Sequence, residues 1–535
     1  MKKIAFGGAM IAACAAFAGT YTWNGASGGD WATPGNWLVD GAVPATAPTS
    51  ADNIAFNSAS PVTVGGSTTL AITQIANTGA GTVTFACPVQ FAGTYYVTQN
   101  GPVKFPGGAT ATYPDNALRT ASSTDQTRTL DGDFTFTSDW VVNRVGDYPW
   151  IIPDGSTVHG QLFTGTQNSH HRILRIEESG SAYFTCVTNG WDIGDVDIDG
   201  YLEVSGEYVV QTSTSGGTAA RFGRAGNIGT VKAYRIVKNR NGLVSSLIPN
   251  LIVGAGGMGS VHQDYYWRFD ADTTVTAAED FEFVGMYRSG YTYDWCLGLS
   301  ANVTLTINVP ENMTVTFGVS LRLSGGFVRK TGAGTLVMTD TYNGNSGYVK
   351  QFSGMFIDEG KVRLEATGQL GAGSVELASG ARLEVASGVT LSNVVNGDGT
   401  LYLENGVTVA IPGNPVCVGA VELASGASVA VTNTVGTTTA PYAFISGVSA
   451  ADASRFTYAG QALNLLGDTL MLPYAAATGV YVWNGASGAD WAVPGNWLVD
   501  GATPATAPSR CRTRAAHCST SANGRRGAAT LPKET

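Results

Sequence analysis

The stretch "GGFVRKTGAGTLVMTDTYNGNSGYVKQFSGMFIDEGKVRLEATGQLGAGSVELASGARLEV" occupies residues 325–385 and decides the fold class. Apolar and polar residues alternate within it. In "KVRLEA", Val362 and Leu364 fall on one face of an extended chain, while Arg363 and Glu365 fall on the other. This period of two is typical of half-buried β-strands. Glycine-containing turns separate the alternating runs, so the stretch predicts a series of short strands.

The composition of the whole chain favours strands and turns. Gly accounts for 70 of the 535 residues, and only 13% are charged, against about a quarter in an average soluble protein. Helix surfaces usually carry many Lys and Glu residues, and no helical period extends over a useful length after the N-terminus. The 44% hydrophobic content is enough for a packed core. We therefore expect an all-β protein.

Repeats of two kinds predict how the strands are arranged. "VELASGARLEV" at 375–385 returns as "VELASGASVAV" at 421–431. An apolar residue followed by glycine also recurs at intervals of 29, 31 and 31 residues, at Gly194, Gly223, Gly254 and Gly285. A single repeat cannot bury its apolar face, but stacked repeats share a continuous core. The pattern predicts a parallel β-helix, or β-solenoid, with glycines at the corners of its coils, where φ is positive.

Short motifs follow one another in a fixed order within the opening stretch. They are the Gly325-Gly326 pair, 330–336, the turn Tyr342-Asn343-Gly344, 359–362 and 370–373. In this order the motifs resemble the autotransporter-associated β-strand repeat of bacterial exported proteins. The resemblance implies a parallel β-helix displayed outside the cell, and it brings no catalytic residues with it.

A tryptophan-rich motif occurs twice. "YTWNGASGGDWATPGNWLVDGAVPATAP" at 21–48 and the stretch at 481–508 differ at only four of 28 positions. We interpret the pair as a large-scale repeat, and the first copy as an N-terminal cap module that covers the first coil. The alternative is that Trp23, Trp31 and Trp37 stack on sugar rings.

The predicted organisation has six parts. They are a signal peptide at 1–18, the Trp-motif module and first strands at 19–120, Gly-spaced solenoid repeats at 121–320, autotransporter-associated repeats at 321–475, the second Trp motif at 479–508 and a basic tail at 509–535. The leader begins "MKK" and ends in an A-x-A site, with a lipobox-like cleavage before Cys14 as the alternative. The tail carries six of the 30 Lys and Arg residues. Since homology between the two copies stops at its start, we interpret the tail as the product of a frameshift, or else as a genuine basic tail.

Charge and hydropathy limit the partners. The formal net charge is −10, which disfavours nucleic acid and anionic membranes. No apolar run reaches the roughly 18–20 residues of a membrane-spanning helix. We expect an exported protein at the cell surface or outside the cell, or in the periplasm or outer membrane if retained. Its expected partners are cell-surface glycans or proteins, and no cofactor is predicted.

Candidate sites in the sequence are few. Asp195, Asp197 and Asp199 resemble the start of a calcium loop, but position twelve is Gly206 where such a loop needs a Glu. Histidines cluster weakly at His159, His170 and His171. Acidic residues that could serve catalysis are Asp270, Asp272, Glu279, Asp280 and Glu282, whose spacing identifies no pair. No catalytic, cofactor-binding or metal-binding residue is therefore predicted.

The expected function is structural and adhesive. The alternative is a carbohydrate-active enzyme, that is a polysaccharide lyase or hydrolase, or a glycan-binding protein, built on the same β-helix scaffold.

Overall fold

The computed structural model divides the chain into two units. One comprises residues 1–211 and 220–232, and the other comprises 212–219 and 233–535. The structure describes residues 19–26, 28–99, 101–113, 128–138, 140–142, 150–165, 174–189, 196–211, 220–239, 243–260, 267–284, 296–318, 320–322, 325–340, 350–371, 373–411, 416–433, 442–472, 481–483 and 497–499.

The described residues form short strands and two 3-10 turns, Pro34–Asn36 and Ala453–Arg455, and contain no α-helix. The strands up to residue 189 are β1 Thr20–Trp23, β2 Gly29–Asp30, β3 Trp37–Leu38, β4 Asn53–Phe56, β5 Val62–Gly65, β6 Leu70–Asn77, β7 Val83–Phe85, β8 Val89–Gln99, β9 Val103–Tyr113, β10 Arg128–Thr129, β11 Asp131–Phe136, β12 Trp140–Val142, β13 Trp150–Ile152, β14 Thr157–Gly165, β15 Leu174–Ile176 and β16 Ser181–Asn189. Those from 196 to 338 are β17 Val196–Ile198, β18 Tyr201–Gln211, β19 Ala220–Phe222, β20 Thr230–Asn239, β21 Val244–Ser246, β22 Asn250–Ser260, β23 Trp267–Phe269, β24 Thr273–Ala277, β25 Phe281–Val284, β26 Cys296–Leu299, β27 Thr304–Asn308, β28 Thr314–Phe317, β29 Ser320–Arg322, β30 Phe327–Thr331 and β31 Thr335–Met338. The remainder are β32 Gly354–Ile357, β33 Lys361–Leu364, β34 Val375–Leu377, β35 Arg382–Val385, β36 Thr390–Leu391, β37 Val395–Gly397, β38 Thr400–Leu403, β39 Thr408–Ile411, β40 Ala420–Leu423, β41 Val429–Asn433, β42 Tyr442–Ile445, β43 Phe456–Tyr458, β44 Gln461–Ala462, β45 Asn464–Leu466, β46 Thr469–Leu472, β47 Tyr481–Trp483 and β48 Trp497–Val499.

Parallel pairing between successive coils dominates the first unit. Strand β4 pairs with β6, β6 with β8, β8 with β9 and β9 with β11, all in parallel. The series continues through β14, β16 and β18. A second parallel series runs β10, β13, β15 and β17. The predicted all-β solenoid of stacked parallel strands is confirmed.

Aromatic side chains fill much of the first unit's core. Phe56, Phe85, Phe105 and Phe134 are each at most 2% exposed, and neighbouring rings lie 5.1–5.6 Å apart between centroids. Paired parallel strands lie only about 4.8 Å apart, so inward side chains of successive coils stack directly on one another. This stacking buries apolar surface that a single coil would leave in water.

The Trp-rich module covers the first strand edge of this unit. Strand β1 pairs in parallel with β4 on one side and antiparallel with β3 on the other, where Trp23 lies opposite Trp37. An unpaired edge would invite association with other strands. Strand β3 pairs with that edge, and its residue Trp37 is fully buried. The predicted cap is confirmed as an aromatic cluster at the N-terminus.

The second Trp motif forms the same local pairing. Strands β47 and β48 are antiparallel, with Trp483 opposite Trp497. Both residues lie 460 positions after their counterparts Trp23 and Trp37, so the duplicated sequence reproduces the same register.

Aliphatic columns form the core of the second unit. Leu336, Val362, Leu383, Leu401 and Val421 occupy matching positions on successive parallel strands, and all are buried. Pairing Val362 with Leu383 and Leu383 with Leu401 gives coils of 21 and 18 residues. The prediction that Val362 and Leu364 face inward and Arg363 faces outward is also confirmed, since strand β33 alternates between half-buried and buried positions.

Antiparallel strands close the parallel stack of the second unit. Strand β41 pairs in parallel with β43, but β43 pairs antiparallel with β44. Strands β42, β46 and β45 form a further antiparallel sheet. As in the Trp module, a change of strand direction stops the parallel ladder from presenting a free edge.

The prediction that the spaced glycines turn corners holds for only one of the two that the structure describes. Gly223 follows β19 with a φ of 90°, as expected. Gly254 lies inside strand β22, where an added Cβ would come within 3.1 Å of the Tyr234 Cα, so there the glycine serves close approach of neighbouring backbone. Gly194 and Gly285 lie outside the described residues.

Candidate functional site

Asp197, on strand β17, and Asp199, just after it, lie beside basic and amide side chains. Both oxygens of Asp197 accept hydrogen bonds, from Arg224 Nη1 at 2.9 Å and from Asn227 Nδ2 at 2.8 Å. Asp199 Oδ1 accepts from the same amide at 3.1 Å. A polar cavity of about 210 Å³ lies against these residues and Arg175.

This arrangement leaves the calcium hypothesis without support. Asp195 lies outside the described residues. Asp197 and Asp199 face a guanidinium and an amide N–H group, whereas calcium requires six to eight oxygen ligands. Within the described part of the chain, no three His, Cys, Asp or Glu side chains are placed to hold a metal ion.

The first Trp motif acts in packing. Trp23 is 7% exposed, and its ring meets Trp37 edge-on at 4.8 Å. Trp37 Nε1 donates to the Trp31 carbonyl, and the half-buried Trp31 donates its own indole N–H to the Thr68 carbonyl. Buried rings cannot stack on a sugar. The burial of Trp23 and Trp37 therefore favours their role in the cap.

Three of the five acidic residues between 270 and 282 form hydrogen bonds to neighbouring coils. Asp272 Oδ1 accepts from the Thr304 backbone N–H at 2.8 Å, and Asp280 Oδ1 accepts from the Thr314 N–H at 2.7 Å. Asp270 accepts from Arg268, Ser245 and Ser300. Apart from the bond from Arg268, these hydrogen bonds join residues at least 25 positions apart in sequence, so the three carboxylates hold neighbouring coils together.

A second cavity, of about 360 Å³, lies on the outer face of the first unit. It runs over strands β8, β9 and β11 and is lined by Gln90, Gly107, Gly108, Thr110, Asp133 and Thr135, among others. We call this cavity the glycine groove. Pocket volumes of this size accommodate small organic ligands.

An outward ladder of aromatic and charged side chains begins beside the groove. Thr135 is the strand partner of His159, His159 of Tyr183, and Tyr183 of Glu203. The His159 and Tyr183 rings stack at 4.9 Å between centroids, only 13° from parallel. His170 and His171, which the sequence groups with His159, lie outside the described residues.

An ion pair between Glu203 and Lys232 lies at the far end of this ladder. Glu203 accepts from Lys232 Nζ at 2.8 Å and from the Tyr201 hydroxyl at 2.8 Å. The hydrogen bond from Lys232, and then that from Tyr201, hold the pKa of Glu203 below its ordinary value. Burial, followed by the contact with Glu203, raises the pKa of Tyr201. The face therefore presents a fixed carboxylate and ammonium beside aromatic rings.

Three lysines, Lys238, Lys330 and Lys350, are buried in the structure, and none of them was singled out from the sequence. Lys330 Nζ donates to the carbonyls of Thr331, Gly332 and Glu359 at 2.6–3.2 Å, and burial lowers its pKa to about 8. Lys330 shares the inward parity of Val328 in "FVRKT", a signal that could have shown its burial. Lys350 does not lie in an alternating strand of this kind, so the sequence carries no comparable signal for its burial.

Among the residues that the structure describes, none forms a helix of the length and hydropathy needed to span a membrane. No protein-family model, curated protein or solved structure matches the chain.

Proposed function

We propose that this chain is an exported structural and adhesive repeat protein that acts at the cell surface or outside the cell. The observation that carries the proposal is the outer face of the first unit, where His159, Tyr183, Glu203 and Lys232 project from successive coils. Such a face offers stacking, hydrogen-bonding and charged groups to a partner, on strands whose backbones are hydrogen-bonded from coil to coil. The signal-peptide pattern at 1–18 and the resemblance to exported β-helix repeats support export.

Ion pairs across coils support the structural part of the proposal. Glu384 lies within 3.0 Å of both Lys361 and Arg382, and within 3.6 Å of Arg363. These four residues belong to the adjacent strands β33 and β35. A networked carboxylate of this kind contributes more than an isolated surface pair, so the outer face adds to the stiffness of the stacked backbone.

The lining of the glycine groove favours binding over cleavage. Asp133 is the one carboxylate among the described residues that line it. Hydrolysis of a glycosidic bond ordinarily uses two carboxyl groups, one on each side of the bond. The alternative of a carbohydrate-active enzyme predicts that the purified chain releases oligosaccharides from a panel of neutral and acidic polysaccharides.

Export and adhesion are tested separately. The full chain, with and without residues 1–18, is expressed in a bacterial host and followed by fractionation and N-terminal sequencing. We expect export of the first form only, with a mature start at Gly19 or Thr20. Beads coated with the purified chain should then be retained on bacterial or host-cell layers more strongly than beads coated with albumin. Retention in the cytoplasm with the leader intact, or equal bead retention, would refute the proposal.

A further inference from the structure

A slip in strand register creates the glycine groove. Phe105 pairs with Gly132 and Ala109 with Phe134, so four steps along β9 match two steps along β11. Residues 106–108 of β9 therefore lie opposite the single residue Asp133, and the two extra residues make β9 bulge from the ladder. Gly108 adopts a φ of 88° within this bulge, a conformation that glycine takes without strain.

Glycine also keeps the floor of the groove open. A Cβ at Gly107 would lie 2.5 Å from the Cys87 carbonyl oxygen, whereas nothing but the Asp133 carbonyl comes within 4 Å of a Cβ at Gly108. The side chains next to this floor are short and polar, since Gln90, Thr110 and Thr135 follow one another in register. The groove is therefore bordered by amide, hydroxyl and carboxylate groups, without a bulky side chain across it.

His159 lies one strand beyond the groove, as the strand partner of Thr135. His159 is exposed, and its ring lies almost parallel to that of Tyr183 on the next strand. When rings on adjacent strands stack, their planes are roughly perpendicular to the line that joins the two strands. Since Tyr183 covers one face of the imidazole, the opposite face is turned towards the strand of Thr135, which lines the groove.

A free aromatic face next to hydrogen-bonding groups suits one ligand chemistry. Aromatic faces are electron-rich and attract the polarised C–H groups of a sugar ring. The hydroxyls of the same ring can donate to Asp133 and exchange hydrogen bonds with Gln90 and the two threonines. Asp133 disfavours an anionic sugar by charge repulsion.

We infer that the glycine groove and the free face of His159 form a binding site for a neutral saccharide. The inference rests on the proposed function, because it specifies the chemical class of the adhesive partner. The saccharide ring packs against the imidazole, and its hydroxyls are fixed by Asp133, Thr110 and Thr135.

The test is calorimetric titration of the full chain with neutral oligomers of glucose, xylose and N-acetylglucosamine, and with oligogalacturonate as the acidic probe. Two variants change the site, His159→Ala and Asp133→Asn. The matched control is Tyr402→Ala, which removes an outward aromatic from the second unit, where Arg382 covers the ring at 4.3 Å. Melting followed by circular dichroism checks that each variant is folded.

We expect at least one neutral oligomer to bind the wild type and the Tyr402→Ala variant equally. Each site variant should weaken that binding about tenfold or more, or by about 1.4 kcal/mol. The inference is overturned if no neutral oligomer binds at millimolar concentration, if oligogalacturonate binds more tightly, or if the site variants bind as the wild type does. The bead assay tests the proposed function separately. If the beads adhere while the titration fails, only the saccharide site is refuted. If the beads do not adhere, the adhesive function is refuted, whatever the calorimetry shows.

Discussion

Lys350 provides the sharpest test of the energetics of this fold. Its side chain is 2% exposed, and Nζ donates to the Thr339 carbonyl and to Gln369 Oε1, both at 2.6 Å. The Phe317 ring lies 5.4 Å from the nitrogen. Burial lowers the pKa of the ammonium from 10.5 to about 7, although the charge of Asp340 acts in the opposite direction. Loss of hydration therefore outweighs the surrounding acceptors.

The sign and size of the effect follow from proton linkage. Between about pH 7 and pH 10.5 the unfolded chain holds a proton that the folded chain has released, so the free energy of unfolding rises with pH. Below pH 7 both states are protonated and the penalty is constant. At about 1.4 kcal/mol per pKa unit, Lys350 contributes a gain of about 2–3 kcal/mol between about pH 7.5 and pH 9.5. Lys330 acts in the same direction, so only a comparison with a variant isolates Lys350.

The assay is urea unfolding of the wild type and of Lys350→Met at both pH values, followed by fluorescence. The wild type should gain about 2–3 kcal/mol more than the variant on going to the higher pH. Gln351→Met, which changes an exposed neutral neighbour, serves as the control and should follow the wild type. An equal gain in the wild type and in Lys350→Met would show that the folded protein keeps the ammonium protonated, and would refute the argument from burial.

Further predictions concern the cap, the coil spacing and a buried thiol. Trp37→Ala removes a fully buried indole. It should lower the free energy of unfolding, measured by urea titration, by about 3–5 kcal/mol. A loss under about 1 kcal/mol would argue against the cap. Gly373→Ala would place a Cβ 1.5 Å from the Ser353 carbonyl oxygen, so it should lower the melting temperature sharply, whereas Gly35→Ala, with open space around it, should change it little. Burial raises the pKa of the Cys87 thiol to about 11, so peptide mapping should show slow alkylation by iodoacetamide at neutral pH and fast alkylation in urea; equal rates would contradict the buried position.

Tertiary contacts decided the questions that the sequence left open at the candidate sites. The Trp motif was compatible with sugar stacking and with capping, and burial of Trp23 and Trp37 favours the cap. The pattern Asp195, Asp197 and Asp199 was compatible with calcium, but Asn227, which lies 30 residues after Asp197, donates a hydrogen bond to the Asp197 carboxylate. Spacing along the chain could not show this contact, because the partner comes from the next coil.

The sequence by itself determined the fold class and the facing of individual residues such as Val362 and Arg363. In a strand, facing depends only on whether a residue is odd or even in position, and that parity is visible in the order of residues. Only the tertiary structure decided which coils lie against which, and with what register. The bulge at 106–108 and the unequal coil lengths set that register, and with it the pairing of His159 with Thr135 and the contact of Lys350 with Gln369. These are contacts between distant segments, whose relative placement follows from the packing of the whole core and not from local propensity.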